Sequence, residues 1–245
     1  MDRWECYERA VQAPQDTLAL LVHEHGAAPR ELGEDFAGSA ALARAWVASH
    51  AARSAFAVDL DAHALQHAAH VERLQALVAD VRRVRHAPVD VLHAGNFSLG
   101  YLHTRQELLE YLRNAAARLR DGGVFACDTF GGASAFQLGV ATRTHPLPGG
   151  AVLTSIWRRR AADPRTARVE NVLSFRIVRD GELVARLDDA FEYCWRLWSI
   201  SELSDALLEC GFESPRVRAS TALDEPDDAP LGEDFAVLLC ARIRR

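Results

Sequence analysis

Three carboxylates, Glu34, Asp59 and Asp80, stand at the ends of short apolar segments in the N-terminal part of the chain. Gly38 lies between the first two, where a chain that leaves a strand turns into a helix beside a ligand. Asp59 follows about 20 residues later, which is the place of a ribose-binding acid in a βαβ nucleotide-binding unit. Because strands of an open α/β sheet end along one edge, the spacing predicts that the three carboxylates share one ligand site.

Hydrophobic patterning predicts the elements that position these residues. The segment before the first strand is helical with a break at Pro14. Two capping boxes, Thr104–Glu107 and Ser199–Glu202, each begin a helix. Asp121-Gly122-Gly123 ends the first of these two helices. The predicted strands are 30–34, 54–59, 74–80, 89–94, 124–128, 212–219 and 235–243, with helices at 40–50 and at 62–73 and an acidic, proline-containing loop at 224–230.

The composition of the first turn distinguishes between two nucleotide ligands. NAD is the usual ligand of a βαβ unit, and its pyrophosphate needs an early glycine in the turn. Here Phe36 and Ala37 stand in that place, and Glu34 and Asp35 are expected to repel phosphate. S-adenosylmethionine (SAM) carries a sulfonium and an amino group and no phosphate, so the acidic turn favours SAM over NAD.

The stretch 30–61 resembles motifs I and II of the class I SAM-dependent methyltransferases. In that family an acid is followed by Gly-x-Gly-x-Gly. Glu34 matches the acid and Gly38 the middle glycine, whereas Phe36 and Ala40 replace the outer glycines. The Glu-Asp-Phe-x-Gly turn is similar to that of a bacterial subset of methyltransferase-like chains.

The resemblance implies a Rossmann-like α/β fold with a seven-stranded, mostly parallel sheet in the order 3-2-1-4-5-7-6, whose strand 7 is antiparallel. Alternation and β-forming residues predict an antiparallel insert between strands 5 and 6. Its expected strands are 151–160, 167–178 and 182–198, and Asp180-Gly181 forms a hairpin turn. The predicted division is an N-terminal helical lid (1–29), a SAM-binding core (30–132), an insert that caps the substrate or dimerises (133–198), and a C-terminal helix with two core strands (199–245).

The same resemblance assigns roles to individual residues. Glu34 is expected to help hold the methionyl end of SAM, Asp59 the ribose, and Asp80 with Val81 the adenine. The complete set of predicted cofactor-binding residues is Glu34, Phe36, Gly38, Asp59, Leu60, Asp80, Val81, Asn96 and Phe97. Predicted substrate-binding aromatic residues are Tyr101, Phe130, Trp157 and Trp195. His103 and Asp128 are candidates for a general base, which is needed only if the acceptor must first lose a proton.

The implied activity is methyl transfer from SAM to a small-molecule acceptor through an oxygen, nitrogen or carbon atom. Two alternatives stay open. A methyltransferase-like module that binds without catalysis is compatible with the altered glycines. A nicotinamide-dependent oxidoreductase would use the same βαβ logic but needs phosphate contacts.

Composition excludes several other classes. The net charge is −6 and no basic face stands out, so a nucleic-acid partner is not expected. No apolar run reaches the roughly 20 residues of a membrane span. The five cysteines are scattered, which indicates a reducing compartment and a cytoplasmic protein. His63 and His67 are spaced i, i+4 without a further ligand, so no metal site is expected. A homodimer through the insert is left open.

Overall fold

A computed structural model describes residues 1–219, 223 and 229–244. Most of the predicted acidic loop 224–230 therefore lies outside the described residues. The helices are α1 Arg3–Val11, α2 Pro14–His25, α3 Ala41–Ser49, α4 Arg105–Ala117 and α5 Ile200–Glu209. The strands are β1 Glu31–Asp35, β2 Ser54–Asp59, β3 Leu74–Val78, β4 Val89–Ala94, β5 Leu119–Gly132, β6 Gly139–Pro146, β7 Val152–Asp163, β8 Arg168–Arg179, β9 Glu182–Arg196, β10 Arg216–Arg218 and β11 Asp234–Arg242.

The central sheet has seven strands in the order β10-β11-β5-β4-β1-β2-β3. Strands β1 to β5 run parallel, and β11 is antiparallel to both of its neighbours. Read from β3, this is the expected order 3-2-1-4-5-7-6, so the predicted fold class is confirmed. The carboxyl ends of β1, β2 and β4 consequently lie along one edge of the sheet.

Helices cover both faces of the central sheet and bury two apolar layers. On one face, α2 and α3 pack against the strands through a cluster that includes Leu20 and Trp46. On the other face, α4 and α5 pack through a cluster that includes Leu108 and Leu207. Both predicted capping boxes are present, at the starts of α4 and α5. No helix in the described part of the chain is both long and apolar enough to cross a membrane.

The insert between β5 and β10 is an antiparallel sheet of four strands in chain order, β6 to β9. Only three strands were predicted, and β6 was missed. This strand reads Gly-Val-Ala-Thr-Arg-Thr-His-Pro and is almost wholly exposed, so it lacks the alternation of a half-buried strand. It pairs along one side only, with β7, as an edge strand. The insert packs on α1 through a cluster that joins Tyr7 to Phe175 and Trp195.

Two predicted elements in the core are wrong in kind, and the predicted strand 212–219 is shortened to β10 Arg216–Arg218. The predicted helix 62–73 is only a short 3₁₀ helix, Ala64–Ala68. His70 and Arg73 have φ values of +62° and +64°, which a helix cannot contain. The second error concerns α4, which ends at Ala117. Asp121-Gly122-Gly123 lies within β5, where the pairing with β4 shifts register.

A buried ion pair joins the end of β1 to the end of α4. The Arg118 guanidinium donates to the Asp35 carboxylate at 2.9 and 2.6 Å, and the Tyr111 hydroxyl donates to it at 2.9 Å. The Arg118 and Asp35 side chains are 2% and 0% exposed. A buried pair of this kind is costly to break, because the partner that remains keeps an uncompensated charge.

We predict that Asp35→Asn lowers the free energy of unfolding by about 3–5 kcal/mol, because Arg118 stays buried without a counter-charge. Urea denaturation measures the change. Asp188→Asn is the matched control, since Asp188 pairs with Arg186 on the surface and both side chains are more than half exposed. Exposed pairs contribute little, so the control is expected to match the wild type. Equal effects of the two substitutions would contradict the prediction.

Candidate functional site

A cavity of about 650 Å³ opens at the carboxyl edge of the central sheet. The turn after β1 and the segments that follow β2 and β3 form one wall of this cavity. The helix α1 and the strand β9 form the opposite wall. The lining residues that the argument uses are Arg3, Trp4, Tyr7, Gln12, Phe36, Gly38, Asp59, Asp61, Asp80, Arg82, Tyr101, Glu107, Asp189, Phe191, Glu192, Tyr193 and Trp195.

The turn after β1 has a left-handed backbone at three alternate residues. The φ values are +53° at Phe36, +53° at Gly38 and +57° at Ala40. Only glycine adopts this conformation without strain, and another residue pays roughly 1–2 kcal/mol. These are the three positions that match Gly-x-Gly-x-Gly, so the turn keeps the glycine conformation although two of its glycines are replaced.

Gly38 also lies in close contact with α1. A Cβ atom on Gly38 would lie 2.8 Å from Cζ3 of Trp4. The Gly38 N–H donates to the Asp59 carboxylate at 2.7 Å, and the Asp61 N–H donates to the same carboxylate at 2.9 Å. Asp59 therefore ties the end of β2 to the turn after β1 and stands at the cavity wall.

Asp80 lies beyond the end of β3, at the far end of the same cavity. The Arg82 side chain donates to its carboxylate at 2.7 Å, and the Arg82 N–H donates at 2.9 Å. These bonds from Arg82 lower the pKa of Asp80. Leu60 and Val81 line the cavity between the two carboxylates.

Glu34 and Asp35 do not line this cavity within the described residues. Glu34 points to the α3 side, where the Ala43 N–H donates to it at 2.7 Å, and burial raises its pKa to about 8. It lines a second cavity of about 360 Å³, which shares Gln12 and Asn96 with the first. Our premise that Glu34 and Asp35 would repel phosphate at the ligand is wrong, because Asp35 is neutralised by Arg118.

The loop after β4 is held by a buried carboxylate. Asn96 and Phe97 have φ values of +58° and +60°, and their N–H groups donate to Asp128 at 2.8 and 2.6 Å. Asn96 lines both cavities, whereas Phe97 and Asp128 line the smaller one. Asp128 thus contacts the loop backbone and does not reach the larger cavity.

The predicted substrate residues divide into two groups. Tyr101 and Trp195 line the larger cavity. Phe130 and Trp157 do not line it; their rings lie behind Trp195, at 6.2 and 5.7 Å between centroids. His103, a candidate base, also lies outside the cavity lining, and its Nε2 is 2.7 Å from the carbonyl oxygen of Cys194.

Sequence reasoning missed several residues of the site, among them Arg3, Trp4 and Arg82. One signal was available for Trp4, because Trp4 and Tyr7 are spaced i, i+3 on the apolar face of α1. Arg82 had no comparable signal, since its contact with Asp80 depends on the turn that follows β3.

Several features of the wall fit a ligand with polar and cationic groups. The Nε1 atom of Trp4 and the Oε1 atom of Gln12 are buried and have no hydrogen-bond partner among the described residues. The arginines that line the described cavity, Arg3 and Arg82, both pair with carboxylates. A pyrophosphate would therefore find no unpaired guanidinium there, and the wall fits the sulfonium and adenosine of SAM better than NAD.

We predict that Gly38→Ala lowers the free energy of unfolding by about 1–3 kcal/mol more than Gly149→Ala, because it adds overpacking to backbone strain. Gly149 is the matched control, since its φ is +72° and nothing lies within 4 Å of an added Cβ. Urea denaturation of both variants measures the difference. If both lost the same stability, the contact with Trp4 would have no energetic weight.

The ionisation of Asp128 predicts a pH dependence. Burial raises its pKa from 3.8 to about 7, against the opposing effect of the Asn96 and Phe97 N–H groups. Between these two pH values the carboxyl is protonated in the folded state and ionised in the unfolded state. The unfolded state then binds fewer protons, so this group makes stability fall as pH rises from about 4 to about 7.

Asp128→Asn removes that titration. Relative to the wild type, the variant is expected to gain about 4 kcal/mol in free energy of unfolding between pH 4 and pH 8, at 1.36 kcal/mol for each of about 3 pKa units. Urea denaturation across that range measures the gain, with Asp188→Asn as the exposed control. If the difference in free energy of unfolding between this variant and the wild type did not change with pH, burial would not raise the pKa of Asp128.

Comparison with known proteins adds to this geometry. No family model matches the chain, and no curated protein matches it in sequence. A SAM-dependent methyltransferase from Clostridium acetobutylicum ATCC 824 matches in structure, at 17% identity and a TM-score of 0.74, over 98% of this chain and 97% of the other.

Two further structures are similar. One is the SAM-bound amino pentose methyltransferase CalS10 from Micromonospora echinaspora, at 13% identity and a TM-score of 0.72, over 97% of this chain and 94% of the other. The other is the sugar N-methyltransferase KedS8 from Streptoalloteichus sp ATCC 53650, at 16% identity and a TM-score of 0.71, over 97% of this chain and 90% of the other. The chain therefore has the fold of the class I SAM-dependent methyltransferases.

Proposed function

We propose that the protein binds SAM in the larger cavity and transfers its methyl group to a small-molecule acceptor. One observation carries the proposal: the left-handed turn Phe36–Ala40 lies against Asp59, whose carboxylate accepts the Gly38 N–H at 2.7 Å. This pairs a close backbone approach with a carboxylate at the end of the next strand, as nucleoside binding requires. When bound, SAM supplies a methyl group on a positively charged sulfur.

The wall residues take distinct roles under this proposal. Asp59 and Leu60 bind the ribose, and Asp80 and Val81 bind the adenine. Gly38 and Asn96 approach the methionyl group with their backbone, beside the ring of Phe36, whereas Phe97 lines the smaller cavity. Glu34 acts indirectly, because its bond to the Ala43 N–H fixes the start of α3 below the turn.

The acceptor side is assigned to the segments that close the cavity. Tyr7 lies on α1, within the lid segment 1–29, and Tyr193 lies on β9, within the insert 133–198. Both line the cavity opposite the wall that carries Gly38, Asp59 and Asp80. Such closure positions the acceptor and excludes water, which are the main requirements for methyl transfer. CalS10 and KedS8, with the same fold, are described as acting on an amino pentose and on a sugar, which supports a small-molecule acceptor. Homodimerisation and a cytoplasmic location stay predictions from the sequence.

We predict that the protein binds S-adenosylhomocysteine and not NADH in isothermal titration. Asp59→Ala is expected to weaken S-adenosylhomocysteine binding by about 10- to 100-fold, since hydrogen bonds to a charged group contribute roughly 1.5–3 kcal/mol. Asp188→Ala is the control, because Asp188 lies on the exposed face of the insert. Unchanged affinity in Asp59→Ala would remove the pocket assignment.

The same titration, together with a turnover assay, separates methyl transfer from the two alternative functions. Binding of NADH alone would favour the nicotinamide-dependent oxidoreductase. If the protein binds S-adenosylhomocysteine but forms none of it from SAM with amine, alcohol or carbon acceptors, a binding module that has lost catalysis is favoured. Turnover with any acceptor would exclude that alternative.

A further inference from the structure

The wall of the larger cavity that faces the insert is aromatic. Tyr101 follows β4, and Phe191, Tyr193 and Trp195 lie on β9. The Tyr193 and Trp195 rings are 4.5 Å apart between centroids, and Tyr101 meets Trp195 edge-on at 6.2 Å. Tyr101 is 45% exposed, so part of its ring is accessible to a ligand. Ring faces of this kind attract cations and the C–H faces of saturated rings.

The same cavity carries excess negative charge. Six carboxylates line it, Asp59, Asp61, Asp80, Glu107, Asp189 and Glu192, together with the two guanidinium groups of Arg3 and Arg82. Arg158 and Arg160, which are not in the lining, pair with Asp189 and Glu192, so the excess is two negative charges. One of the two guanidinium groups already uses the aromatic wall. The Arg3 guanidinium carbon lies 5.3 Å from the ring centroids of both Trp4 and Phe191 and pairs with Asp61 at 2.9 Å. The cavity therefore favours cationic groups near its aromatic wall.

The described lining residues offer no evident general base. None of them is a histidine. Asp59 holds two backbone N–H groups, and Asp61 and Asp80 pair with arginines. The remaining carboxylates are also engaged: Glu107 by Thr104 and Arg82, Asp189 by Arg158, and Glu192 by Arg160.

The tyrosine hydroxyls of the cavity keep their protons at neutral pH, so they do not serve as bases. Tyr101 is partly exposed, yet desolvation in the cavity raises its pKa to about 12, and burial raises the pKa values of Tyr7 and Tyr193 as well. These hydroxyls stay protonated and are available to donate a hydrogen bond to a ligand. The lining therefore favours an acceptor that becomes nucleophilic without giving its proton to a base on the protein.

That requirement separates the acceptor classes. An alcohol ionises with a pKa close to the value of about 15.7 for bulk water, so it needs a base to become a nucleophile. An aliphatic amine has a pKa of about 10.4, and its neutral, nucleophilic form exists in water without enzymatic help. Its protonated form suits the carboxylates and ring faces during entry.

We propose that the acceptor is a primary or secondary amine carried on a small ring, an assignment that rests on the proposed methyl transfer from SAM. The ammonium first loses its proton to water. The nitrogen lone pair then forms the C–N bond as the C–S bond breaks, and the electron pair of that bond neutralises the sulfonium. The product leaves as the methylated ammonium, which keeps its proton at neutral pH because an aliphatic amine has a pKa of about 10.4.

The first test uses matched probes: cyclohexylamine against cyclohexanol, and glucosamine against glucose. Tryptophan fluorescence, with S-adenosylhomocysteine bound, measures affinity without turnover. Mass spectrometry after incubation with SAM measures methylation. We expect at least one amine to bind about 10-fold or more tightly than its alcohol, and methylated product from amines alone.

Product from the alcohols alone, or equal binding of both members of each pair, would overturn the amine assignment. Neither binding nor product from any probe, with S-adenosylhomocysteine still bound, would overturn the ring-borne amine in these scaffolds. Failure of S-adenosylhomocysteine itself to bind would instead overturn the proposed function, so the two failures are distinguishable.

The pH profile adds a readout that a structural role would not move. When the amine loses its proton in water, kcat/KM rises with pH up to the pKa of the amine used, and the break shifts when the amine is exchanged. A break that keeps the same pH with every amine would reveal a protein base and would contradict the proposal.

Tyr101 supplies the residue test. Tyr101→Leu removes the ring and is expected to weaken amine binding about fivefold, with little change in S-adenosylhomocysteine affinity. Tyr101→Phe keeps the ring face and is expected to restore most of the amine affinity relative to Tyr101→Leu. Equal losses in both variants would assign the contact to the hydroxyl. Leu183→Ala, at an exposed position of β9 outside the cavity lining, is the control.

Discussion

The site depends on how the last two residues of β1 are fixed. Successive side chains of a strand point to opposite faces of the sheet, so Glu34 and Asp35 enter different layers. Glu34 accepts the Ala43 N–H of α3, and Asp35 takes the guanidinium of Arg118 behind α4. Helices on both faces therefore hold the residue pair from which the ligand turn starts. The turn then has little freedom, and the cost of its strained backbone is met by packing around it.

This constraint explains how the turn tolerates Phe36 and Ala40 where the family pattern has glycine. Left-handed backbone is unfavourable for both residues, yet the Gly38 N–H is anchored on Asp59 and the turn is pressed by Trp4. Surrounding contacts, and not the residue type, thus maintain the left-handed conformation of the turn. A search for the Gly-x-Gly-x-Gly pattern misses such a turn, since it detects the glycines and not the φ values that they adopt.

Sequence reasoning located most strands of the central sheet from their apolar patterning, and the resemblance to the class I methyltransferases supplied their order. It failed where structure depends on contacts distant in sequence. β6 has no apolar alternation and exists only by pairing with β7, and the helix expected after Asp61 stops because the chain must turn back into β3. The roles of Glu34 and Asp35 were misjudged for the same reason, since Arg118 lies far along the chain.

The two halves of the cavity come from parts of the chain with different freedom to vary. The wall that carries Gly38 is built from strand ends in a sheet buried on both faces, where a change in one side chain disturbs the core. The aromatic wall is built from β9 and α1, which rest on the sheet through a separate apolar cluster. Under the proposed function, changes at Tyr101, Phe191 or Tyr193 are expected to alter acceptor selectivity while the turn at Gly38 stays intact.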